Sequence, residues 1–146
     1  MNITRRDLWR SAALIPFGAV RGSAANGAVT VGLIGSGNRG PYVAGHMARH
    51  TPARIVALCD LFPEKMNRAK ATIGVENPKL YTDLHQLLAS DVDAVIIATP
   101  DHWHALATIW GCQAGKDVYV EKPVSHSPWE GRKMVEAARN YQRIVQ

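Results

Sequence analysis

From residue 28 onward, short apolar runs alternate with stretches of helical period. Ala28-Val29-Thr30-Val31-Gly32-Leu33-Ile34 is a run of strand length that ends in Gly35-Ser36-Gly37-Asn38-Arg39-Gly40, which predicts a buried strand entering a tight turn. A helix of about ten residues follows, ending near Arg49-His50 with Pro52 as its stop. Arg54–Cys59 predicts a second strand, closed by Asp60. Pro63–Ile73 predicts a helix with proline in its first turn and Gly74 at its end. A weak strand at Lys79–Tyr81 leads into a short helix over Asp83–Ala89. Ala94–Ala98 is the clearest buried strand, bounded by Asp93 and Pro100. Trp103–Gln113 predicts a helix ended by Gly115, and Asp117–Val120 a fifth strand. Ser127-Pro128-Trp129-Glu130 is a capping box with proline at the first helical position, opening a helix that runs to about Asn140. Arg143–Gln146 has the pattern of a further strand's opening.

Apolar strands separated by amphipathic helices imply an α/β fold, a parallel sheet covered on both faces. The expected arrangement is doubly wound (Rossmann), strand order 3-2-1-4-5-6, with the sixth strand incomplete. Residues 1–25 do not share the alternation. Thr4-Arg5-Arg6-Asp7-Leu8-Trp9-Arg10 precedes ten weakly apolar residues, Ser11–Val20, then Arg21 and Gly22-Ser23-Ala24-Ala25. That basic, apolar, small-residue order is a secretory signal with cleavage after Ala25. The paired arginines resemble the twin-arginine signature. The expected division is therefore a signal over 1–25 and a dinucleotide-binding domain over 26–146. Such a route carries a protein already folded, with its cofactor bound, to the periplasm or another exported location.

Composition changes this picture in two places. The chain has 146 residues, 47% hydrophobic, with a formal net charge of +5. The first 25 residues hold Arg5, Arg6, Arg10 and Arg21 against Asp7, so +3 of that charge sits in the signal and only +2 in the rest. Without a basic stripe, nucleic acid is not an expected partner. Two cysteines, Cys59 and Cys112, exclude a disulfide-dense scaffold and read as buried thiols. No apolar run approaches the ~20 residues of a membrane-spanning helix.

The candidate chemistry begins at Gly35-x-Gly37-x-x-Gly40, straight after a strand and straight before a helix. Gly35 permits the tight turn, Gly37 lets the backbone approach a pyrophosphate, and Gly40 allows close helix–strand packing. Pro41 costs nothing, since first-turn N–H groups have no helical partner. Ser36, Asn38 and Arg39 line the turn, the last two able to reach phosphate or ribose. Asp60 follows Gly40 by 20 residues at the end of the second strand, where a carboxylate accepts ribose hydroxyls. A 2′-phosphate would meet like charge there, and no arginine closely follows Asp60. NAD is therefore expected rather than NADP.

Two further stretches lie at strand ends on the ligand-binding edge, Thr99-Pro100-Asp101-His102-Trp103-His104 and Gly115-Lys116-Asp117-Val118-Tyr119-Val120-Glu121-Lys122-Pro123. With the glycine turn and Asp60 they resemble the Gfo/Idh/MocA oxidoreductase family over residues 28–146, Glu-Lys-Pro after a Gly-Lys-x-Val-x-Val strand being the most specific element. The resemblance implies a nicotinamide enzyme acting on a sugar, polyol or related alcohol. It implies that Lys122 is catalytic and near the nicotinamide, holding the reacting oxygen, that Glu121 flanks the nicotinamide ribose, and that Thr99, Pro100 and His104 run along the cofactor. It also implies a second, mostly antiparallel α+β domain carrying the remaining catalytic groups and the oligomer interface. None of that domain is within these residues, so the 146 residues are expected to bind cofactor without turnover, and the full-length protein to be a homo-oligomer.

Two other functions stay open. One is an NAD-dependent glycosidase of the same family, with which Asn38-Arg39-Gly40 and Trp103-His104 sit comfortably. The other is a non-catalytic nucleotide-binding domain. No metal site is expected: His102 and His104 lack a partner set at zinc spacing. Trp103 and Trp110, seven apart, read as packing residues, and His46, His50, His85 and His126 as surface or structural.

Overall fold

A computed structural model describes residues 27–146; the expected signal, 1–25, lies outside the described residues. The elements are β1 (Thr30–Ile34), α1 (Arg39–His50), β2 (Arg54–Cys59), α2 (Pro63–Ile73), β3 (Lys79–Tyr81), α3 (Leu84–Leu88), β4 (Ala94–Ile97), a 3-10 turn (Asp101–Trp103), α4 (His104–Gln113), β5 (Asp117–Val120) and α5 (Pro128–Asn140). The strands form one parallel sheet in the order β3-β2-β1-β4-β5. Beyond β5, the Val118 N–H donates to the Ile144 carbonyl at 2.8 Å and the Val120 N–H to the Gln146 carbonyl at 2.9 Å. Val145 thereby forms a parallel bridge to Val118 in the place of the expected sixth strand.

Period-two alternation decides which side chain goes to which face. Val31, Leu33, Leu58 and Ile96 point to one side, where Ala44 of α1 and Met66, Ala69 and Ile73 of α2 cover them. Ile34, Cys59, Val95 and Ile97 point to the other, against Leu87, Ala105, Cys112 and Met134 of α3, α4 and α5. Helices cover both faces, which is why the strands read as unbroken apolar runs. Each fully buried Leu or Ile contributes roughly 1.5–3 kcal/mol of transfer free energy.

Local signals set the helix ends. Gly74 closes α2 at φ +81, a left-handed cap. At α5 the Ser127 Oγ accepts the Glu130 N–H at 3.3 Å while the Glu130 carboxylate accepts the Ser127 N–H at 3.1 Å. At the amino end of the sheet, Asp93 Oδ2 accepts both the Thr30 N–H and the Thr30 hydroxyl, each at 2.7 Å. Those two bonds hold the Asp93 carboxyl below its ordinary range. The opposite, carboxyl edge is where β1 and β4 lie side by side while the chain winds away in two directions. That divergence leaves a crevice.

Candidate functional site

A cleft of about 720 Å³ opens at this carboxyl edge. Its floor is the glycine turn. Gly35 has φ +93, and a Cβ there would lie 2.6 Å from the carbonyl of Ala98, so only glycine lets β1 turn against the end of β4. Gly40 is packed from beneath: a Cβ would run into the Gly35 carbonyl oxygen and stand 3.0 Å from Leu33 Cδ1. Gly37 is the reverse, with no heavy atom within 4 Å of where its Cβ would be. The turn is thus closed below and open above. The start of α1 has no side-chain cap on Asn38 and no acid in its first turn, which leaves its leading N–H groups for an anion.

Asp60 stands at the cleft wall with its side chain 11% exposed. Its Oδ2 accepts the Ser36 N–H at 2.9 Å and its Oδ1 the Phe62 N–H at 3.1 Å. A carboxylate has about four lone-pair sites, so acceptor capacity remains toward the cleft. Lys65 Nζ lies 4.0 Å from Oδ1 and 4.4 Å from the centre of the Phe62 ring. Sequence reasoning found no nearby arginine but missed this lysine, in the first turn of α2. Behind Asp60, burial and then the Asp60 and Asp83 carboxylates push the Cys59 thiol up to about 12. It is an inert neighbour.

The far wall comes from β4 and α4. Thr99 and Pro100 line the cleft, and the buried Thr99 Oγ1 has no hydrogen-bond partner in the protein. His104 is 2% exposed, with Nδ1 2.7 Å from the Pro123 carbonyl oxygen and Nε2 2.8 Å from that of Thr99. A neutral imidazole has one N–H and serves one of these at a time; only the doubly protonated ring serves both. Either way, both ring nitrogens face backbone. His104 fastens the Thr99 loop to the loop after β5 from beneath and does not line the cleft.

Glu121, Lys122 and Pro123 end β5, with a cis Lys122–Pro123 bond. Glu121 is 5% exposed, and its Oε1 meets Arg39 Nε at 3.0 Å across the mouth of the glycine turn. Oε1 also accepts the Tyr119 hydroxyl at 3.3 Å, and Oε2 the Lys122 N–H at 3.2 Å. Burial first and the Glu121 charge second push the Tyr119 phenol up. Lys122 itself is exposed, and neither it nor Glu121 is among the residues that line the cleft. Of the expected set, Gly35, Gly37, Asn38, Arg39, Asp60, Thr99 and Pro100 share the cleft, while Ser36, Gly40 and His104 support it from behind.

The cleft also takes residues that pattern reasoning left aside. Trp103 and Trp110 line it with ring centres 6.3 Å apart, and His85 lies 4.4 Å from Trp110. Thr82 and Asp83, after β3, complete that end. The strand order carried a signal for them, since β3 ends on the same edge as β1, β2 and β4. His126 pairs with Asp101 at 3.3 Å outside the cleft and lowers the Asp101 carboxyl.

An elongated anion with flat rings suits these residues. The open space over Gly37 admits a pyrophosphate, Asp60 a ribose diol, the Trp–His wall a planar ring, and the orphaned Thr99 hydroxyl a polar group. The Gfo/Idh/MocA pattern, an oxidoreductase family with an NAD-binding Rossmann fold, matches residues 29–146. An uncharacterized oxidoreductase of Streptococcus pneumoniae is 35% identical over 112 residues, 76% of this chain and 29% of that protein. A glycosyl hydrolase family 109 protein of a Shewanella species is 38% identical over 79% of this chain and 27% of its own. Among solved structures, the WlbA dehydrogenase of Bordetella pertussis, in complex with NADH and UDP-GlcNAcA, has a TM-score of 0.73 at 31% identity. That match covers 81% of this chain and 36% of the other. The chain thus spans about a third or less of the length of these relatives.

Proposed function

Because the chain belongs to the Gfo/Idh/MocA oxidoreductase family, with its NAD-binding Rossmann fold, we propose that it supplies the cofactor half of an NAD-dependent dehydrogenase acting on a sugar, polyol or related alcohol. One observation carries this reading most: a glycine turn closed against β4 yet open over Gly37, with the Asp60 carboxylate fixed beside it by the Ser36 N–H. The turn and the α1 start hold the pyrophosphate. Asp60 takes the adenosine ribose and disfavours a 2′-phosphate, an effect that Lys65 at 4.0 Å offsets in part. When bound, the nicotinamide supplies the hydride acceptor. Lys122, which follows Glu121 after β5, would hold the substrate hydroxyl oxygen and stabilise the alkoxide it becomes as its proton passes to a base of the full-length protein and hydride passes from the carbon to the nicotinamide. Thr99 and Pro100 wall off the ring, and His104 sets their position through the Thr99 carbonyl. The sugar is proposed because the WlbA relative was solved with a nucleotide sugar.

In the full-length protein, reduction of NAD by a panel of polyols and sugars tests the reading. Growth of NADH absorbance with at least one, slowed about 100-fold or more in Lys122→Met, is the expected result; no NADH with any of them speaks against it. A second reading draws support from the glycosyl hydrolase family 109 relative. It predicts release of an aglycone from a glycoside with no net NADH. Export in folded form through Arg5-Arg6, and assembly into a homo-oligomer, belong to the same proposal.

A further inference from the structure

Arg39 and Glu121 are 82 residues apart in the sequence and 3.0 Å apart in the fold. Their burial is unequal: the Glu121 side chain is 6% exposed and that of Arg39 is 56% exposed. A carboxylate that deep in the protein needs polar partners, and three converge on it: Arg39 Nε, the Tyr119 hydroxyl and the Lys122 N–H. The arginine is caught by its inner nitrogen. The Nε contact is an ion pair, the terminal NH₂ groups make no hydrogen bond to any described residue, and the guanidinium lies 5.4 Å from the Tyr42 ring centre. The ion pair at Nε and the ring beside it bias the direction of an otherwise exposed planar group. Arg39 lines the cleft next to Gly37 and Asn38, where the space for a pyrophosphate is.

We propose that Glu121 acts on the cofactor through Arg39: the buried carboxylate holds the guanidinium so that its free NH₂ groups clamp the pyrophosphate. Arg39 is then a binding residue and Glu121 its positioning residue. This rests on the dinucleotide reading above and deepens it. Charge alone predicts the opposite sign for Glu121, since a negative group near a pyrophosphate weakens binding and its removal strengthens it. Direct contact between Glu121 and the nicotinamide-side ribose predicts a third result, because ADP lacks that ribose and keeps the pyrophosphate.

Calorimetric titration of the full chain with NAD and with ADP separates these. Arg39→Gln is expected to weaken both ligands about tenfold, the size of a charge-assisted contact to phosphate. Glu121→Gln, which keeps the shape, is expected to weaken both about threefold and to weaken neither further when Arg39→Gln is already present. Circular dichroism melting of each variant within a few degrees of the parent assigns the losses to binding. Tighter binding by Glu121→Gln overturns the proposal, as does a loss confined to NAD or an equal loss in both backgrounds. If the parent chain binds neither ligand, the dinucleotide reading itself falls.

Discussion

Two glycines of one turn face opposite demands, so alanine at each has opposite consequences. In Gly40→Ala the new methyl meets the Gly35 carbonyl oxygen, a backbone atom that cannot rotate away, with Leu33 Cδ1 at 3.0 Å and Ala98 Cβ at 3.3 Å. Relief requires α1 to shift off β1. Overpacking of this kind costs about 1–3 kcal/mol, and contact with fixed backbone puts Gly40→Ala at about 3. At about 4 °C per kcal/mol for a domain of this size, Tm falls by about 12 °C. In Gly37→Ala the methyl meets nothing within 4 Å, and Gly37 is not among the glycines with positive φ. The loss of unfolded-state entropy then stabilises the chain by about 0.4–1 kcal/mol. That methyl stands where a pyrophosphate would lie, so NAD affinity drops at least about tenfold, or about 1.4 kcal/mol. Thermal melts followed by circular dichroism and NAD titrations on both variants measure the contrast. The reasoning is refuted if Gly37→Ala melts as low as Gly40→Ala, or if it binds NAD as the parent does.

Other expectations follow from single groups. The Cys59 thiol, held protonated to about 12 against an ordinary 9.0, loses its proton in the unfolded chain first. Stability therefore falls as pH rises from about 9 toward 12; urea midpoints for the parent should drop more steeply over that range than those of Cys59→Ala. Asp93 is shifted the other way, so its contribution is present above its ordinary value of 3.8 and lost as pH falls through its depressed one. Asp93→Asn should lower stability at pH 7 by about 1 kcal/mol and flatten the acid limb of the stability curve. Lys122→Met in the full-length enzyme should cut kcat by about 100- to 1000-fold, the usual loss of one donor to a developing oxyanion, with NAD affinity within threefold. On the proposal that residues 1–25 are a twin-arginine signal, an Arg5→Lys, Arg6→Lys double variant should accumulate as uncleaved precursor in a fractionation assay.

The sheet was legible in the sequence because its signals are local. β4 is an apolar run bounded by Asp93 and Pro100, and α5 opens on a capping box whose two bonds form as the residue types require. The glycine turn and Asp60 were legible for the same reason, since spacing along the chain alone sets their relation. Boundaries moved where tertiary pairing decides them. β1 starts at Thr30 rather than Ala28, where pairing with Arg54 begins, and the helix expected from Trp103 opens as a 3-10 turn before His104. What pattern could not supply were contacts between strand ends far apart in sequence. The Arg39–Glu121 pair, the His104 link from Thr99 to Pro123 and the Trp110–His85 wall each join loops that meet only once the sheet order is set. A period-seven tryptophan pair looks the same whether it faces a core or a cleft.

The carboxyl-edge cleft is proposed as a dinucleotide site organised by the glycine turn and Asp60. Calorimetric titration of the full chain with NAD, beside an Asp60→Ala variant, tests it most directly. A dinucleotide site gives saturable one-to-one binding with a Kd below about 1 mM, and at least about tenfold weaker binding in Asp60→Ala. Absence of saturable binding, or equal affinity in the two proteins, contradicts it.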